Sequence, residues 1–202
     1  MYTIIEDCSP YYIRFTFDGL KNIINYIINQ TPVNVVNYST YSHDTLNLPA
    51  AETIISMLPM SNKITFNINR VAVFTTPPNG GCGVHKDGSH DRTSFNIPIE
   101  ILDNNCITSW YSDEMFEGFP ILEKSNYSRN VYRDYKTMNK FKSVKTMTAQ
   151  PNEMTLFNTE IYHSWSNHNS NNTRKILTLR SVDVEKLYFE TARQLLFGYE
   201  YE

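Results

Sequence analysis

Three side chains of this sequence could together hold a metal ion: His85, Asp87 and His163. His85 and Asp87 are two residues apart, and in a β-strand residues i and i+2 project to the same face, so both can point into one interior. A His-x-Asp pair also occurs by chance, and two surface residues are the simplest alternative. His163 follows the apolar run 154–157 and supplies a second imidazole from a distant part of the chain. Two imidazoles and one carboxylate on one face of a metal, with other positions open, suit non-heme Fe(II) that activates oxygen.

A candidate anion-binding residue follows the second histidine. Arg174 lies eleven residues after His163 and begins the run RKILTLR, which has the composition of a strand. A long cation that enters a predicted interior without a partner would be energetically costly. An inward Arg174 therefore implies an anion, and a carboxylate is the natural bidentate match for guanidinium.

The elements that must position these residues are short strands. From Lys63 onward, β-branched and aromatic runs alternate with turn sequences such as PPNGG, LDNN, QPN and NHNSNN. Eight strands are predicted, at residues 64–75, 83–87, 93–101, 106–111, 143–148, 153–158, 162–166 and 174–182. Because no helices separate them, the pattern predicts a mainly β fold, either an antiparallel barrel or a double-sheet jelly roll.

Helices are predicted on both sides of this core. A strand at 11–17 precedes a helix that begins at a capping Asp18 and runs to about Asn29, and a strand at 33–38 precedes a helix at 50–58. The segment 183–196 is predicted to be an amphipathic closing helix. No internal repeat or linker divides the chain, so one domain over residues 1–202 is expected, with its core at about 60–182.

At this point the sequence resembles the 2-oxoglutarate- and Fe(II)-dependent oxygenases, which are built on a double-stranded β-helix (jelly-roll, cupin-like) core. Their pattern is His-x-Asp at the end of the second core strand, a distal His at the seventh and an Arg about ten residues later at the eighth. His85, Asp87, His163 and Arg174 match that pattern in order, spacing and strand placement. The resemblance covers about residues 60–182 and includes the aspartyl/asparaginyl hydroxylase-like and prolyl-hydroxylase-like branches.

The resemblance implies a site and a reaction. His85, Asp87 and His163 would bind Fe(II), and Arg174 would pair with the distal carboxylate of the cosubstrate 2-oxoglutarate. Members of this family consume O2, release succinate and CO2, and oxidise a C–H bond of the substrate, with hydroxylation the commonest outcome. The expected function is therefore that of a dioxygenase that hydroxylates an amino-acid or peptidyl side chain.

Further cosubstrate contacts are expected nearby. Arg92 resembles an arginine that meets the cosubstrate in aspartyl/asparaginyl hydroxylase-like members, and the alternative is a structural salt bridge. Four residues on neighbouring predicted strands are candidates to line the pocket, although an inward Trp is more often packing than recognition: Asn96, Thr108, Trp110 and Thr178. Many members carry Ser two residues after the basic residue, whereas this chain has Ile176, so a second cosubstrate contact must come from elsewhere.

Several alternatives stay open at the level of sequence. Residues 112–142 form an insertion rich in Tyr and Arg, which is either a lid over the barrel mouth or an ordinary solvated loop. His90 is a rival metal ligand that would make a three-His cupin dioxygenase, whereas His43 and His168 are expected to be exposed. A zinc site or a non-catalytic, cupin-like binding protein is the remaining alternative. Cys82 and Cys106 are expected to be buried small hydrophobic residues.

Composition narrows the class of partner. The 202 residues carry 18 Lys and Arg against 21 Asp and Glu, so no global positive field favours nucleic acid or an anionic membrane. Three cysteines match neither a disulfide framework nor a metal motif. The chain also shows no secretion signal and no long apolar run. We therefore expect a cytoplasmic protein with a small-molecule or peptidyl substrate.

Overall fold

The computed structural model describes residues 1–87, 92–100, 105–124, 128–167, 170–182 and 187–198. Within these ranges the helices are α1 (Leu20–Ile28), α2 (Leu48–Met57) and α3 (Phe189–Phe197), with 3-10 helices at Ile68–Arg70, Asp113–Phe116 and Tyr135–Lys140. The strands are β1 (Tyr2–Cys8), β2 (Tyr12–Phe17), β3 (Asn34–Asn37), β4 (Ser42–Thr45), β5 (Ala72–Thr76), β6 (Gly81–Asp87), β7 (Thr93–Glu100), β8 (Ile107–Trp110), β9 (Glu123–Lys124), β10 (Ser128–Tyr132), β11 (Lys145–Thr148), β12 (Met154–Asn158), β13 (His163–Ser166) and β14 (Arg174–Leu179). No helix in these ranges is long and apolar enough to span a bilayer.

The strands form two antiparallel sheets. The larger sheet has the order β1-β2-β12-β7-β14-β5-β4-β3, and the smaller has the order β11-β8-β13-β6-β10-β9. The core strands alternate between the sheets except at β8 and β11, which pair with each other, so that β5, β7, β12 and β14 lie in one sheet and β6, β8, β11 and β13 in the other. This arrangement of eight strands in two sheets is the double-stranded β-helix, and it confirms the mainly β jelly-roll fold with flanking helices that the sequence predicts.

The apolar core lies on the outer face of the larger sheet. Alternate residues of its strands, including Phe95, Ile97, Leu177 and Leu179, are buried in one cluster with residues of all three α-helices, such as Ile23. The intervening residues face the space between the two sheets. Because the helices cover the apolar face, the space between the sheets can be lined by polar side chains.

Two element boundaries differ from the sequence predictions for local reasons. Asp18 does not cap α1, since Gly19 occupies the cap position in the left-handed conformation (φ 93°) and no side chain caps the helix. The first predicted core strand is interrupted by the 3-10 helix at Ile68–Arg70, where the Asn67 side chain accepts a hydrogen bond from Asn69 N at 3.1 Å. β1, β4, β9 and β10 are strands that the sequence patterns did not predict.

The insertion at residues 112–142 extends the smaller sheet. β10 pairs with β6 and places Asn130 opposite His85. A Cβ atom at position 83 would lie 1.9 Å from the backbone oxygen of Tyr132, so Gly83 is what allows β10 to approach β6. Phe116 and Val131 of the insertion are buried together with Val84 of β6. These two residues anchor the insertion to the core, whereas residues 117–122 between them are exposed.

Candidate metal centre

The pairing of β6 with β13 brings the two histidines together. His163 lies directly opposite His85 in the antiparallel register, and the two ring centroids are 4.3 Å apart. Asp87 follows His85 by two residues and so shares its face of β6. One ligand atom from each of His85, Asp87 and His163 lies within 4.8 Å of the others. The sequence period and the strand register together create a three-residue cluster.

Backbone carbonyls fix the orientation of both imidazoles. His85 Nδ1 donates to the carbonyl of Gly83 at 2.9 Å, and His163 Nδ1 donates to the carbonyl of Ile161 at 2.8 Å. The proton of each neutral ring therefore lies on Nδ1, which leaves Nε2 as the ligand atom. His85 Nε2 is 3.6 Å from Asp87 Oδ1. That separation suits two ligands of one ion, since metal–nitrogen and metal–oxygen bonds to zinc are about 2.0–2.2 Å long.

The two histidines differ in their affinity for a proton. Burial lowers the pKa of His85, but the Cys82 sulfur, 3.7 Å from Nδ1, and the Asp87 carboxylate outweigh it and raise this pKa to about 9. Burial and the positive charge on His85 hold the pKa of His163 well below its usual value. The pair therefore accommodates one positive charge readily and a second one poorly. A cation shared between both rings and the carboxylate would satisfy the same electrostatics.

An arginine that the sequence analysis did not single out completes the cluster. Arg180 Nη2 donates to Asp87 Oδ2 at 2.7 Å, and the two side chains are 13% and 10% exposed. This pair occupies one carboxylate oxygen and leaves Oδ1 directed to His85. The sequence contained the information needed to predict this residue. Arg180 is an even number of residues from Arg174, so in a strand predicted over 174–182 both side chains project to the same face.

The three clustered side chains border a cavity of about 440 Å³ between the two sheets. Arg174 also lines this cavity, is only 8% exposed, and its Nε has no hydrogen-bond partner among the described residues. Of the other candidates, Asn96, Thr108 and Thr178 line the cavity, and Thr178 Oγ1 donates to Asn96 Oδ1 at 2.9 Å. The interior thus contains a metal-type cluster and a buried guanidinium on one continuous surface.

Two predicted cosubstrate contacts lie elsewhere. Trp110 is fully buried, stacks on Tyr12 with ring centroids 5.0 Å apart, and does not line the cavity. Arg92 forms a salt bridge with Glu160 and lies over the Tyr188 ring at 4.6 Å. The structure therefore gives Trp110 a packing role and Arg92 the salt-bridge alternative, because neither side chain reaches the lining of the cavity.

The remaining histidines and cysteines divide between the cavity and the parts that are not described. His43 was expected to be exposed, yet it is half-buried, lines the cavity and lies 4.7 Å from the Phe74 ring. Its position was missed because β4 was not predicted. His90 and His168 lie outside the described residues. Cys82 is half-buried at the cavity, Cys106 is buried, and neither is in a disulfide.

The same fold occurs in solved structures of low sequence identity. An oxidoreductase of the 2OG-Fe(II) oxygenase family from Burkholderia pseudomallei is 12% identical, with a TM-score of 0.54 over 86% of this chain and 84% of that one. HygX from Streptomyces hygroscopicus, with nickel, 2-oxoglutarate and hygromycin B bound, is 7% identical, with a TM-score of 0.51 over 84% of this chain and 82% of that one. These likenesses support the fold.

The remaining comparisons gave either a weaker structural similarity or no match. Oxalate decarboxylase from Lactobacillus farciminis is 7% identical with a TM-score of 0.40, over 76% of this chain and 32% of that one, so this chain spans about a third of that protein. No protein-family model matches the chain, and no curated protein matches it in sequence.

Proposed function

We propose that this chain is a 2-oxoglutarate-dependent, non-heme Fe(II) dioxygenase that hydroxylates an amino-acid or peptidyl side chain. The observation that carries the proposal is the presence, in one cavity, of the cluster His85, Asp87 and His163 together with the buried Arg174. A two-histidine, one-carboxylate set with open positions is the donor set that non-heme Fe(II) oxygenases use.

The residues present fit Fe(II). Both Nε2 atoms are directed away from their backbone hydrogen bonds, and Asp87 Oδ1 is the carboxylate oxygen not held by Arg180. Bound iron and 2-oxoglutarate together supply the oxidising chemistry, in which O2 is consumed, succinate and CO2 are released and a C–H bond is hydroxylated. The work of the protein is to hold both groups, to orient the substrate and to limit access of water.

Arg174 is the residue we assign to the distal carboxylate of 2-oxoglutarate. Its guanidinium is buried in the cavity, and a buried cation is stabilised by an anion that it can hydrogen-bond. Thr178 and Asn96, which are hydrogen-bonded to each other, and Ile176 line the same interior. They would pack along the cosubstrate between Arg174 and the metal.

The substrate class is supported by the size and charge of the site. A cavity of about 440 Å³ suits one small molecule or one side chain beside the cosubstrate. The slightly acidic chain argues against nucleic acid as a partner. We further propose a single domain in a reducing, cytoplasmic setting, which is consistent with three free cysteines.

An anaerobic titration of the purified chain with Fe(II) and 2-oxoglutarate tests the proposal. We expect the visible metal-to-ligand charge-transfer band of the iron–cosubstrate chelate, and we expect it to be lost in His163→Ala. His43→Ala is the matched control, because His43 lines the same cavity outside the ligand cluster, and it should retain the band. Stoichiometric iron without a band would contradict the cosubstrate assignment and favour a three-His dioxygenase or a binding cupin.

A further inference from the structure

The two ends of the cavity differ in their exposure to solvent. Arg174 pairs with Thr76 in the register of β14 on β5, and these residues are 8% and 0% exposed. Asn167, which donates to the backbone oxygen of Thr76 at 3.3 Å, is 1% exposed. Beyond the other end of β5, the lining residue Asn69 is exposed. A ligand in the cavity therefore meets buried protein at the Arg174 end and solvent at the Asn69 end.

The hairpin β3–β4 supplies a ring that covers the Arg174 end. The register of β4 on β5, continued by one residue beyond the pair Ser42 and Thr75, places Tyr41 beside Thr76. Thr76 in turn pairs with Arg174 on its other side. Tyr41 and Arg174 both line the cavity, whereas the small Thr76 side chain between them does not. The two longer side chains therefore cover the smaller one and lie next to each other at the cavity surface.

A tryptophan of the opposite sheet connects the metal cluster to this covered end. The centroid of the Trp165 ring lies 5.4 Å from that of His85 and 5.4 Å from that of Tyr41. Tyr41 is thus only two ring contacts away from a candidate metal ligand. Phe74 completes the packing, with centroid distances of 6.1 Å to Tyr41 and 6.2 Å to Trp165. Because these rings line the cavity and contact one another, they set the length of the space beside the metal cluster.

Close backbone packing holds Tyr41 in this position. A Cβ atom at position 80 would overlap the backbone oxygen of Thr40, so Gly80 allows the turn 38–41 to pack directly against the turn between β5 and β6. Within the turn 38–41, Tyr38 N donates to Tyr41 O at 2.9 Å, and the two rings stack with centroids 4.6 Å apart. An outward movement of Tyr41 would break these contacts.

We propose that the rings of Tyr41 and Trp165 form a stop that sets the length of the cosubstrate, so that the site accepts a five-carbon 2-oxo dicarboxylate and rejects one with an additional methylene group. This inference rests on the proposed function, which assigns the distal carboxylate to Arg174. A longer chain would drive that carboxylate into the packed rings. One methylene group too many in a fitted pocket typically changes discrimination about 10–200-fold.

Two matched probes test the proposal on the purified chain. 2-Oxoglutarate and 2-oxoadipate carry the same two carboxylates and the same oxo group, and they differ by one methylene group. Binding of each probe is measured by calorimetry under anaerobic conditions with Fe(II), and the charge-transfer band is recorded in the same samples. We expect 2-oxoglutarate to bind more tightly than 2-oxoadipate by about tenfold or more.

Variants of Tyr41 and Gly80 test the stop itself. In Tyr41→Ala the affinities for the two acids should come within about threefold of each other, because the ring that excludes the longer acid is removed. Tyr41→Phe is the matched control, since it retains the ring and should keep the wild-type selectivity. Tyr41→Leu replaces Tyr41→Ala if that variant does not fold. Gly80→Ala changes no ring but displaces the hairpin turn, and it should relax the selectivity in the same direction.

The two readouts separate failure of the stop from failure of the proposed function. Equal affinities of the wild type for the two acids, or wild-type selectivity in the folded Tyr41→Ala or Tyr41→Leu variant, would overturn the stop. If the band still forms with 2-oxoglutarate in that case, the proposed function stays in place. A calorimetric preference for 2-oxoglutarate without a band supports a length-selective dicarboxylate site and removes the dioxygenase assignment.

Discussion

Two arginines at opposite ends of β14, Arg174 at its first residue and Arg180 directly after its last, are found in contrasting environments. Arg180 Nη2 donates to Asp87 at 2.7 Å, beside the candidate metal ligands. Arg174, six residues earlier on the same face, is 8% exposed and its Nε has no hydrogen-bond partner within the described ranges. Since a strand rises about 3.3 Å per residue, their Cα atoms are about 20 Å apart, so each guanidinium serves a different end of the cavity.

The two arginines differ in whether the protein itself supplies a carboxylate to balance their charge. A buried guanidinium needs a counter-charge, because desolvation disfavours an unpaired ion. For Arg180 that counter-charge is the Asp87 carboxylate, so Arg180 helps to orient Asp87. For Arg174 the described residues supply no such carboxylate, and we propose that the carboxylate of a ligand does. The predictions below test this division.

Asp87→Ala should produce the largest effect because it removes a metal ligand and the partner of Arg180 together. We expect loss of stoichiometric Fe(II) binding by anaerobic dialysis. We also expect a fall in the free energy of unfolding of about 3 kcal/mol, the lower end for a broken buried pair, because Arg180 borders the cavity. Asp113→Ala is the control, as Asp113 is 68% exposed and pairs with Lys86. Retained iron in Asp87→Ala would refute the ligand assignment.

Arg174→Met should reduce the affinity for 2-oxoglutarate about 100-fold, which corresponds to about 2.7 kcal/mol and to the loss of one or two charged hydrogen bonds. Iron binding without cosubstrate should stay within twofold of the wild-type value. Titration of the charge-transfer band measures the first quantity, and dialysis measures the second. Lys175→Met removes a neighbouring charge from the opposite face of β14, where Lys175 pairs with Glu100, and should change neither. Unchanged 2-oxoglutarate affinity in Arg174→Met would place the cosubstrate carboxylate elsewhere.

Arg180→Met should have a smaller effect on the metal than the loss of Asp87. Outer partners of metal ligands typically contribute 10–100-fold to metal affinity, so we expect weakening in that range with a full complement of iron at saturation. Iron titration by competition with a chelator gives the value, and Arg180→Lys should recover part of the loss. An Arg180→Met variant that binds iron as tightly as the wild type would mean that Asp87 is oriented without its help.

The core strands and the cluster of His85, Asp87 and His163 could be predicted because their signals are local. Alternation of side chains along β6 fixes the relation of His85 to Asp87, and turn sequences delimit the strands. The arginine at the start of β14 was evident for the same reason. These features depend on a few consecutive residues, so they can be read without knowledge of the sheet order.

The walls of the cavity could not be predicted because they depend on pairing between distant segments. Asn130 reaches the site only through the register of β10 on β6, which Gly83 permits. Both tryptophans lie on core strands, yet Trp165 lines the cavity while Trp110 stacks on Tyr12 of the neighbouring sheet. The residues of a strand alone do not show whether an inward Trp lines a cavity or packs against the other sheet, since both positions suit a large, partly apolar side chain.

Arg92→Gln should have the smallest effect on stability and on cosubstrate affinity. It tests whether Arg92, unlike Arg174, supports the fold rather than binding in the cavity. Arg92 pairs with Glu160, the two side chains being 25% and 37% exposed, and it lies over Tyr188. A partly exposed ion pair contributes about 0–1 kcal/mol, so thermal unfolding should show at most a small loss of stability. The affinity for 2-oxoglutarate should stay within twofold of the wild-type value, in contrast to Arg174→Met. Glu160→Gln is the matched control, because it breaks the same pair from the other side and should give the same small loss. A tenfold weaker cosubstrate affinity in Arg92→Gln alone would mean that Arg92 leaves Glu160 to contact 2-oxoglutarate, and that the division between paired and ligand-binding arginines changes when the site is occupied.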